Sequence, residues 1–460
     1  MTEFQQNLEN YADLALKVGV NLQQGQTLYV RTPTYAAPFV HALTKRAYEL
    51  GSHNVHIEWN DEEATRLKFQ YADEEAFKTY PQWKADPLVE AAKEDAAFLS
   101  ITGGNPDLLK EANPEHVAMQ QKAGGQANET FRSYIQSDKV SWSIVAVPSA
   151  AWAKKVYPNE SDEQAVSKLW NDIFQATRMH EDDVVEAWQN HLAVLDEKRE
   201  KLNNKKFHAL HYKANGTDLT IELPETHIWA SGGSTSKAGV DFVANIPTEE
   251  VFTAAKKHGV NGTVTSTKPL NYGGTLITDF TLTFKDGKIV DFKAAQGEAT
   301  LKGILEGDEG SKYIGEVALV PHRSPISDMD LIFYNTLFDE NASNHLAIGS
   351  AYAFNIEGGK EMNKEELEAN GINQSITHVD FMMGAADMDI DGIHADALAK
   401  RCSVTENGQS NTDHRENPGS ENQGFLLYVG HLNSPVVYVM ILINSVSNKH
   451  TNVFAVISGV

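Results

Sequence analysis

"TLYVRTPTYAAPFVHALTKRAYELGSHNVHIEW", residues 27–59, decides the first half of the fold. "TLYVRT" (27–32) and "NVHIEW" (54–59) are runs of strand length, rich in β-branched and aromatic residues. Between them "APFVHALTKRAYELG" (37–51) reads as a helix that ends at a glycine stop. Strand, helix and strand in that order predict a parallel crossover unit. The alternation continues through "AAFLSITG" (96–103) and "SWSIVAVP" (141–148). Helices follow at about 161–177 and 183–203. The expectation is an α/β N-terminal domain, residues 1–200, with a mostly parallel sheet. Upstream, "MTEFQQNLENYADLALKVGV" predicts an amphipathic helix with Phe4, Leu8, Tyr11 and Ala15 on one stripe.

Beyond the charged stretch "LDEKREKLNNKK" (195–206) the texture changes. "HALHYKANGTDLTIEL" carries Asn-Gly, and "TLTFKDGKIVDF" carries Asp-Gly between alternating runs. Both pairs accept positive φ in a tight turn, so both predict hairpins. Residues 201–396 are therefore expected to form an α+β C-terminal domain with an antiparallel sheet. Residues 397–460 differ again: "RCSVTENGQSNTDHRENPGSENQG" (401–424) has neither helical nor strand periodicity, and "SPVVYVMILINSV" (434–446) is a short apolar burst.

At 460 residues the chain can bury one large core or two ordinary ones. It sets 39 basic against 63 acidic residues, a net charge of −24. That field repels phosphate backbones and anionic membrane surfaces, which argues against nucleic acid and membrane as partners, and it tolerates cations. The N-terminus has no basic n-region and no uninterrupted apolar h-region, and no apolar run reaches about 18 residues. A single cysteine, Cys402, excludes an internal disulfide framework and a multi-cysteine zinc site. These features predict a cytoplasmic protein.

Several short motifs fail on inspection. "DMDIDG" (387–392) opens like a calcium loop, but its twelfth position is Leu398 instead of glutamate. "HEDDV" (180–184) has Val184 where a zincin helix needs its second histidine. "GGSTSKAG" (232–239) lacks phosphate-loop spacing and reads as a flexible loop. His208 and His211 fall at odd spacing in a strand and face opposite sides.

Four segments of the second half survive. In "SITHVDFMMG" (375–384), strand alternation puts His378 and Asp380 side by side on one face of an apolar run. Taken alone, a hydrogen-bonded structural pair and a metal site account for it equally well. "ANIPTEEVFTAA" (244–255) holds Glu249 and Glu250 at a turn opening into a buried element. "YIGEVALVP" (313–321) sets Glu316 just before an apolar strand. "TLFDENASNHLAIGSAYAF" (336–354) predicts a helix after Asp339, with His345 and Tyr352 two turns apart on one face. Each position alone fits a satisfied core polar group. Together, carboxylates, imidazoles and a phenol are the inventory of a two-metal hydrolytic site.

These stretches, with "NLENYADLALKVGVNLQQGQ" and "RLKFQYADEEAF", resemble the M29 metallo-aminopeptidases from the N-terminus to about residue 396. The resemblance implies Glu250, Glu316, His345, Tyr352, His378 and Asp380 as metal ligands, with Glu316 and Tyr352 also taking part in the chemistry. Two divalent ions per chain (zinc, cobalt or manganese) would share a bridging carboxylate, Glu316 or Asp380. They would provide an activated water and a seat for the free amine of a short peptide. Family members are dimers with an enclosed chamber, so a homodimer is expected. Glu249 and Glu340 read as structural surface acids, and general-base duty stays unassigned. Ala255 stands where members usually carry proline.

Two rival readings are a two-metal amidohydrolase acting on a non-peptide substrate and a metal-binding module without catalysis. From Asp396 the chain reads "DALAKRCSV" where the family usually continues with Asp-Gly and Thr-Arg-Glu and then ends after Phe-Arg-Asn-Gly and a tryptophan. If one base has been lost from a glycine codon directly after Asp396, Ala397–Gln409 re-read in the neighbouring frame as such an ending. Residues 397–460 are therefore expected to be an out-of-frame extension, poorly packed and partly disordered; a genuine divergent segment is the alternative.

Overall fold

The computed structural model describes residues 2–321 and 323–395, together with two-residue strands at 403–404, 410–411, 440–441 and 455–456. Apart from those fragments, the expected out-of-frame extension lies outside the described residues. By compactness the chain divides into residues 1–412 and 413–460. In the second unit Met440–Ile441 pairs antiparallel with Ala455–Val456. The site lies in the first.

Strand Thr27–Pro33 pairs in parallel with Asn54–Asn60 on one side and Ala97–Thr102 on the other, and Trp142–Ala146 joins beyond. Helix Ala37–Glu49 makes the first crossover and buries Phe39, Val40, Leu43 and Ala47. The four-stranded sheet is thus wholly parallel, as the alternation predicts. The N-terminal helix Glu3–Leu14 starts in a capping box from Thr2 and Gln5. Tyr11 and Ala15 of its stripe are fully buried, while Phe4 stays half exposed against Trp170. The two later helices run Asp162–Ala176 and Val184–Lys205.

In the second half both hairpin signals hold. Asn215 and Gly216 join strands Ala209–Ala214 and Thr217–Glu222, and Asp286 and Gly287, both at positive φ, join Thr281–Lys285 to Lys288–Lys293. "GGSTSKAG" is a short hairpin, Gly233–Thr235 paired with Asp241–Val243, in place of the expected flexible loop.

A five-stranded antiparallel sheet carries the site. Its order is His378–Met382, His345–Gly349, Ile314–Leu319, Val251–Ala254, Ala230–Ser231. One face sends Val251, Val317, Leu346, Ile348, Val379 and Phe381 into a hydrophobic core. The first core, on the parallel sheet, takes in Val243, Ile246, Ile326, Phe333, Leu337 and Phe338 from the second half of the chain. Apolar burial therefore anchors the chain on either side of the Glu340 segment, with Leu337 and Phe338 in the first core and Leu346 and Ile348 in the second.

One expected element is corrected. After Asp339 the helix Thr336–Asp339 continues only as a 3₁₀ turn, Glu340–Ala342, and His345 begins a strand. Ser343 is extended at φ −160°. Gly349 has φ +106°, and a Cβ there would lie 2.1 Å from the Thr377 carbonyl oxygen. Sheet pairing and that close approach override the helical propensity of the alanines. Glu316 lies inside its strand and not ahead of it.

Candidate metal centre

Strand parity assembles the site. Glu316 is registered opposite Ala347, and Ala347 opposite Asp380, so the three share one cross-strand row and one face. His345 and Gly349 lie two residues either side of Ala347, and His378 faces Gly349. Glu250 precedes its strand on the parity of Ala254, which pairs with Glu316. All these residues sit on the face opposite the hydrophobic core. Ala347 and Gly349 leave a hollow between the acids and imidazoles.

Two groups form in that hollow. Glu250, Glu316 and His345 offer ligand atoms within 4.8 Å of one another, and so do Glu316, His378 and Asp380. Glu316 belongs to both. His345 Nε2 lies 2.9 Å from Glu250 Oε2 and 3.6 Å from Glu316 Oε1. His378 Nε2 lies 3.7 Å from Glu316 Oε2 and 3.6 Å from Asp380 Oδ1. His378 and Asp380 share a face as their spacing predicts.

The outer nitrogens fix the rings. His345 Nδ1 donates to the carbonyls of Glu340 and Ser343, at 3.0 and 3.1 Å, and His378 Nδ1 donates to the Ser350 carbonyl at 2.7 Å. Each Nε2 therefore points at carboxylates, either as a bare ligand atom or carrying a second proton. At 2.9 Å an unprotonated His345 Nε2 and Glu250 Oε2 repel unless a proton or a metal cation lies between. Glu250 Oε2 and Asp380 Oδ1 are also buried without a hydrogen bond. An oxygen and nitrogen donor set with orphaned acceptors fits a divalent metal.

The electrostatics agree. Burial pushes the Glu316 carboxyl up to about 7, with Asp380 adding to the rise and His345 opposing it. Burial also holds the Glu340 carboxyl well above its ordinary range, reinforced by Asp380. For His345, burial disfavours the imidazolium, but Glu250 and Glu316 outweigh it and raise the pKa. His378 rises likewise, with Asp380 and Glu316 overcoming burial. The Tyr352 phenol is raised by burial and then by Glu316 and Asp380. The pocket has a surplus of negative charge that binds protons in the absence of other cations.

Tyr352 does not lie on a helix with His345. It follows the His345 strand, and its ring packs 5.0 Å from the His378 ring. Glu249 and Glu340 are not surface acids: they are 4% and 7% exposed. Glu249 pairs with Arg178 at 2.7 Å, and Arg178 also contacts His191 Nδ1 at 3.1 Å. The Glu249 backbone N–H donates to Asn341 Oδ1 at 2.7 Å. This network ties the turn bearing Glu250 to the segment leading into His345. Glu340 lines the cavity with the six expected residues. Its signal in the sequence was its place in "DENASNH", between a buried acid and the histidine.

The cavity over the cluster encloses about 220 Å³. A neighbouring cavity of about 450 Å³ shares Trp142, Asn245, Glu340, Tyr352 and Asp380 with it and reaches Thr102–Pro106, at the carboxyl end of a parallel strand. Open α/β sheets bind ligands at that end.

A family profile described as "Thermophilic metalloprotease (M29)" matches residues 4–409. The chain belongs to the M29 metallopeptidase family. It is 56% identical over 408 residues to "Aminopeptidase AmpS" of Bacillus subtilis (strain 168), covering 89% of this chain and 99% of that one. It is 52% identical over 396 residues to "Aminopeptidase 2" of Geobacillus stearothermophilus, covering 86% and 96%. The solved structure "Wild-type AmpT from Thermus thermophilus" superposes with a TM-score of 0.82 at 39% identity, covering 88% of this chain and 99% of that one. This M29 chain is a metallo-aminopeptidase whose chemistry rests on divalent metal. No helix among its described residues is long and apolar enough to cross a membrane.

Proposed function

We propose that this M29 enzyme hydrolyses the N-terminal peptide bond of short peptides with two divalent ions. Glu250, Glu316 and His345 would hold one, and Glu316, His378 and Asp380 the other, with Tyr352 completing the set. The observation that carries the reading is Glu316, common to both acid–imidazole groups and flanked by two orphaned carboxylate oxygens. Bound divalent ions supply Lewis-acid polarisation of the scissile carbonyl and a hydrolytic nucleophile near neutral pH.

The chain's own residues set the conditions for that chemistry. Glu316 belongs to both groups, and its charge would offset the repulsion between two dications held there. The carbonyls of Glu340 and Ser350 keep the imidazole protons on Nδ1, leaving Nε2 free as a ligand atom. The acidic wall attracts a substrate's free ammonium group, which favours chain ends over internal peptide bonds. Phe252 and Phe354 flank Tyr352 and give the cavity an apolar side for a substrate side chain. Zinc, cobalt and manganese all suit these donors. The same reading carries a cytoplasmic homodimer, to be checked by sedimentation. Residues 1–200 and 201–396 are taken as its two domains, and 397–460 as an extension foreign to the family's ending, to be checked by resequencing around codon 397.

The test is hydrolysis of an amino-acyl anilide and its N-acetylated form after chelation, with each metal restored separately. Metal-restored cleavage of the free-amine form alone is expected, at two ions per chain. Equal cleavage of both forms would favour the amidohydrolase reading, and a stoichiometry of one would overturn the shared-glutamate arrangement.

A further inference from the structure

The cavity over the acidic cluster is not acidic throughout. Among the described residues that line it, Lys360 is the one lysine or arginine. Its Nζ lies 3.0 Å from Asp138 Oδ2, and the same oxygen accepts a hydrogen bond from Ser234 Oγ at 2.7 Å. The Asp138 side chain is 2% exposed, so the anchor is fixed, while the Lys360 side chain is 41% exposed. An ammonium has three donors, and the ion pair with Asp138 occupies one of them.

A wall of rings joins this cation to the acidic cluster. The Tyr352 ring lies 5.0 Å from the His378 ring, Phe354 stacks on Tyr352 at 5.0 Å and 15°, and Lys360 Nζ sits 5.7 Å from the Phe354 centroid. The cation is therefore two rings away from His378. A chain extended along that wall rises about 3.3–3.6 Å per residue, so roughly three or four residues cover it.

We propose that Lys360 recognises the C-terminal carboxylate of short peptides, making it a specificity-determining residue for free tri- and tetrapeptides. This rests on the two-metal aminopeptidase reading, which puts the substrate's amino end at the acidic cluster. A peptide of matching length then meets opposite charge at both ends. Longer chains and chains with a blocked terminus lose the second contact.

The experiment compares kcat/KM for a tripeptide and a tetrapeptide with that for their C-terminal amides, in the wild type, Lys360→Met and Lys360→Arg. The wild type is expected to favour the free acids on the order of tenfold, carried by KM, the worth of one charge-assisted hydrogen bond. Lys360→Met brings the acid-to-amide ratio to about one, and Lys360→Arg retains most of it. If Lys360→Met fails to fold because Asp138 is left buried and unpaired, the ratio is read from Asp138→Asn/Lys360→Met, which removes both charges. A wild-type ratio near one, or a ratio unchanged by loss of the ammonium, overturns the assignment. Chelator-sensitive cleavage of an amino-acyl anilide, which has no carboxylate, is run in the wild type alongside: its failure refutes the two-metal reading, and its success with a flat ratio refutes only the role of Lys360.

Discussion

Replacing Arg178 with methionine tests how the site is held together. The guanidinium lies 2.7 Å from Glu249 Oε1, with the two side chains 13% and 5% exposed, and it covers the Trp188 ring at 5.3 Å. Methionine keeps the length and the packing but removes the charge. Glu249 is then a buried carboxylate without its ion-pair partner, and breaking a buried pair on one side costs about 3–5 kcal/mol. The residual exposure of Arg178 points to the lower end, about 3 kcal/mol, a large share of the roughly 5–15 kcal/mol that stabilises a folded domain. Arg178→Met/Glu249→Gln should recover most of the loss, because neither charge is then left uncompensated. The assay is urea unfolding with chelator present, so that metal binding does not contribute, compared by midpoint. A second readout is metal affinity by calorimetry. Glu249 adjoins Glu250 and anchors Asn341, so affinity should fall about 10–100-fold, as for other supporting contacts around a metal. Unfolding midpoints that match across wild type and single variant would refute the argument, and so would a double variant no more stable than the single.

His378→Ala and Asp380→Ala should each lower turnover at least about 100-fold, and near-wild-type rates with full metal occupancy in both would remove them from the ligand set. Tyr352→Phe should reduce the rate while leaving the melting temperature close to wild type; a lowered melting temperature with an unchanged rate would make the residue a packing element. Ala347→Leu fills the space between Glu316 and Asp380, so metal content should collapse while the chelated protein loses only about 1–3 kcal/mol, measured by mass spectrometry and urea unfolding. Burial first, and then Arg178, depress the His191 pKa from 6.5 to about 4. Its neutral form is favoured by folding, so this stability is present above pH 6.5 and is lost as pH falls toward 4, by up to about 3 kcal/mol. His191→Gln should flatten that part of the pH–stability curve.

Much of the fold was legible because it follows local rules. Strand and helix alternate through the first half, with a glycine stop after the first crossover helix, and such crossovers join parallel strands. Asn-Gly and Asp-Gly mark hairpins because their backbones accept positive φ, and both pairs sit at the expected turns. His378 and Asp380 were legible from a period of two. Glu249 and Glu340 were not, since acids beside apolar runs occupy the surface far more often than the interior. For Glu249 only its partners Arg178, His191 and Asn341 distinguish the cases, and these lie far away in sequence; Glu340 is buried by the fold around the cluster. Lys360 and Asp138 belong to the same class: their pairing spans 222 positions.

The misread helix shows where local reading fails and why the site survives the error. "NHLAIGSA" contains residues that favour a helix, and a heptad interval would put His345 and Tyr352 on one face. The strand that forms has a different requirement at the same positions. On it, Ala347 and Gly349 lie between His345 and the neighbouring strands' Glu316, Asp380 and His378, where any longer side chain would occupy the space between ligand atoms. Adjacent strands are about 4.8 Å apart, so acids flanking a central alanine stand about 10 Å apart at the backbone and can converge only over a small residue. The alanine is there for room, and helix propensity is a side effect of its size. Ala255 makes a related point next door: its N–H donates to the Gly315 carbonyl at 3.2 Å, a bond beside Glu316 that proline could not make. Small residues in this sheet thus do for the site what the charged ones cannot, keeping a hollow open within a face that packing would otherwise close.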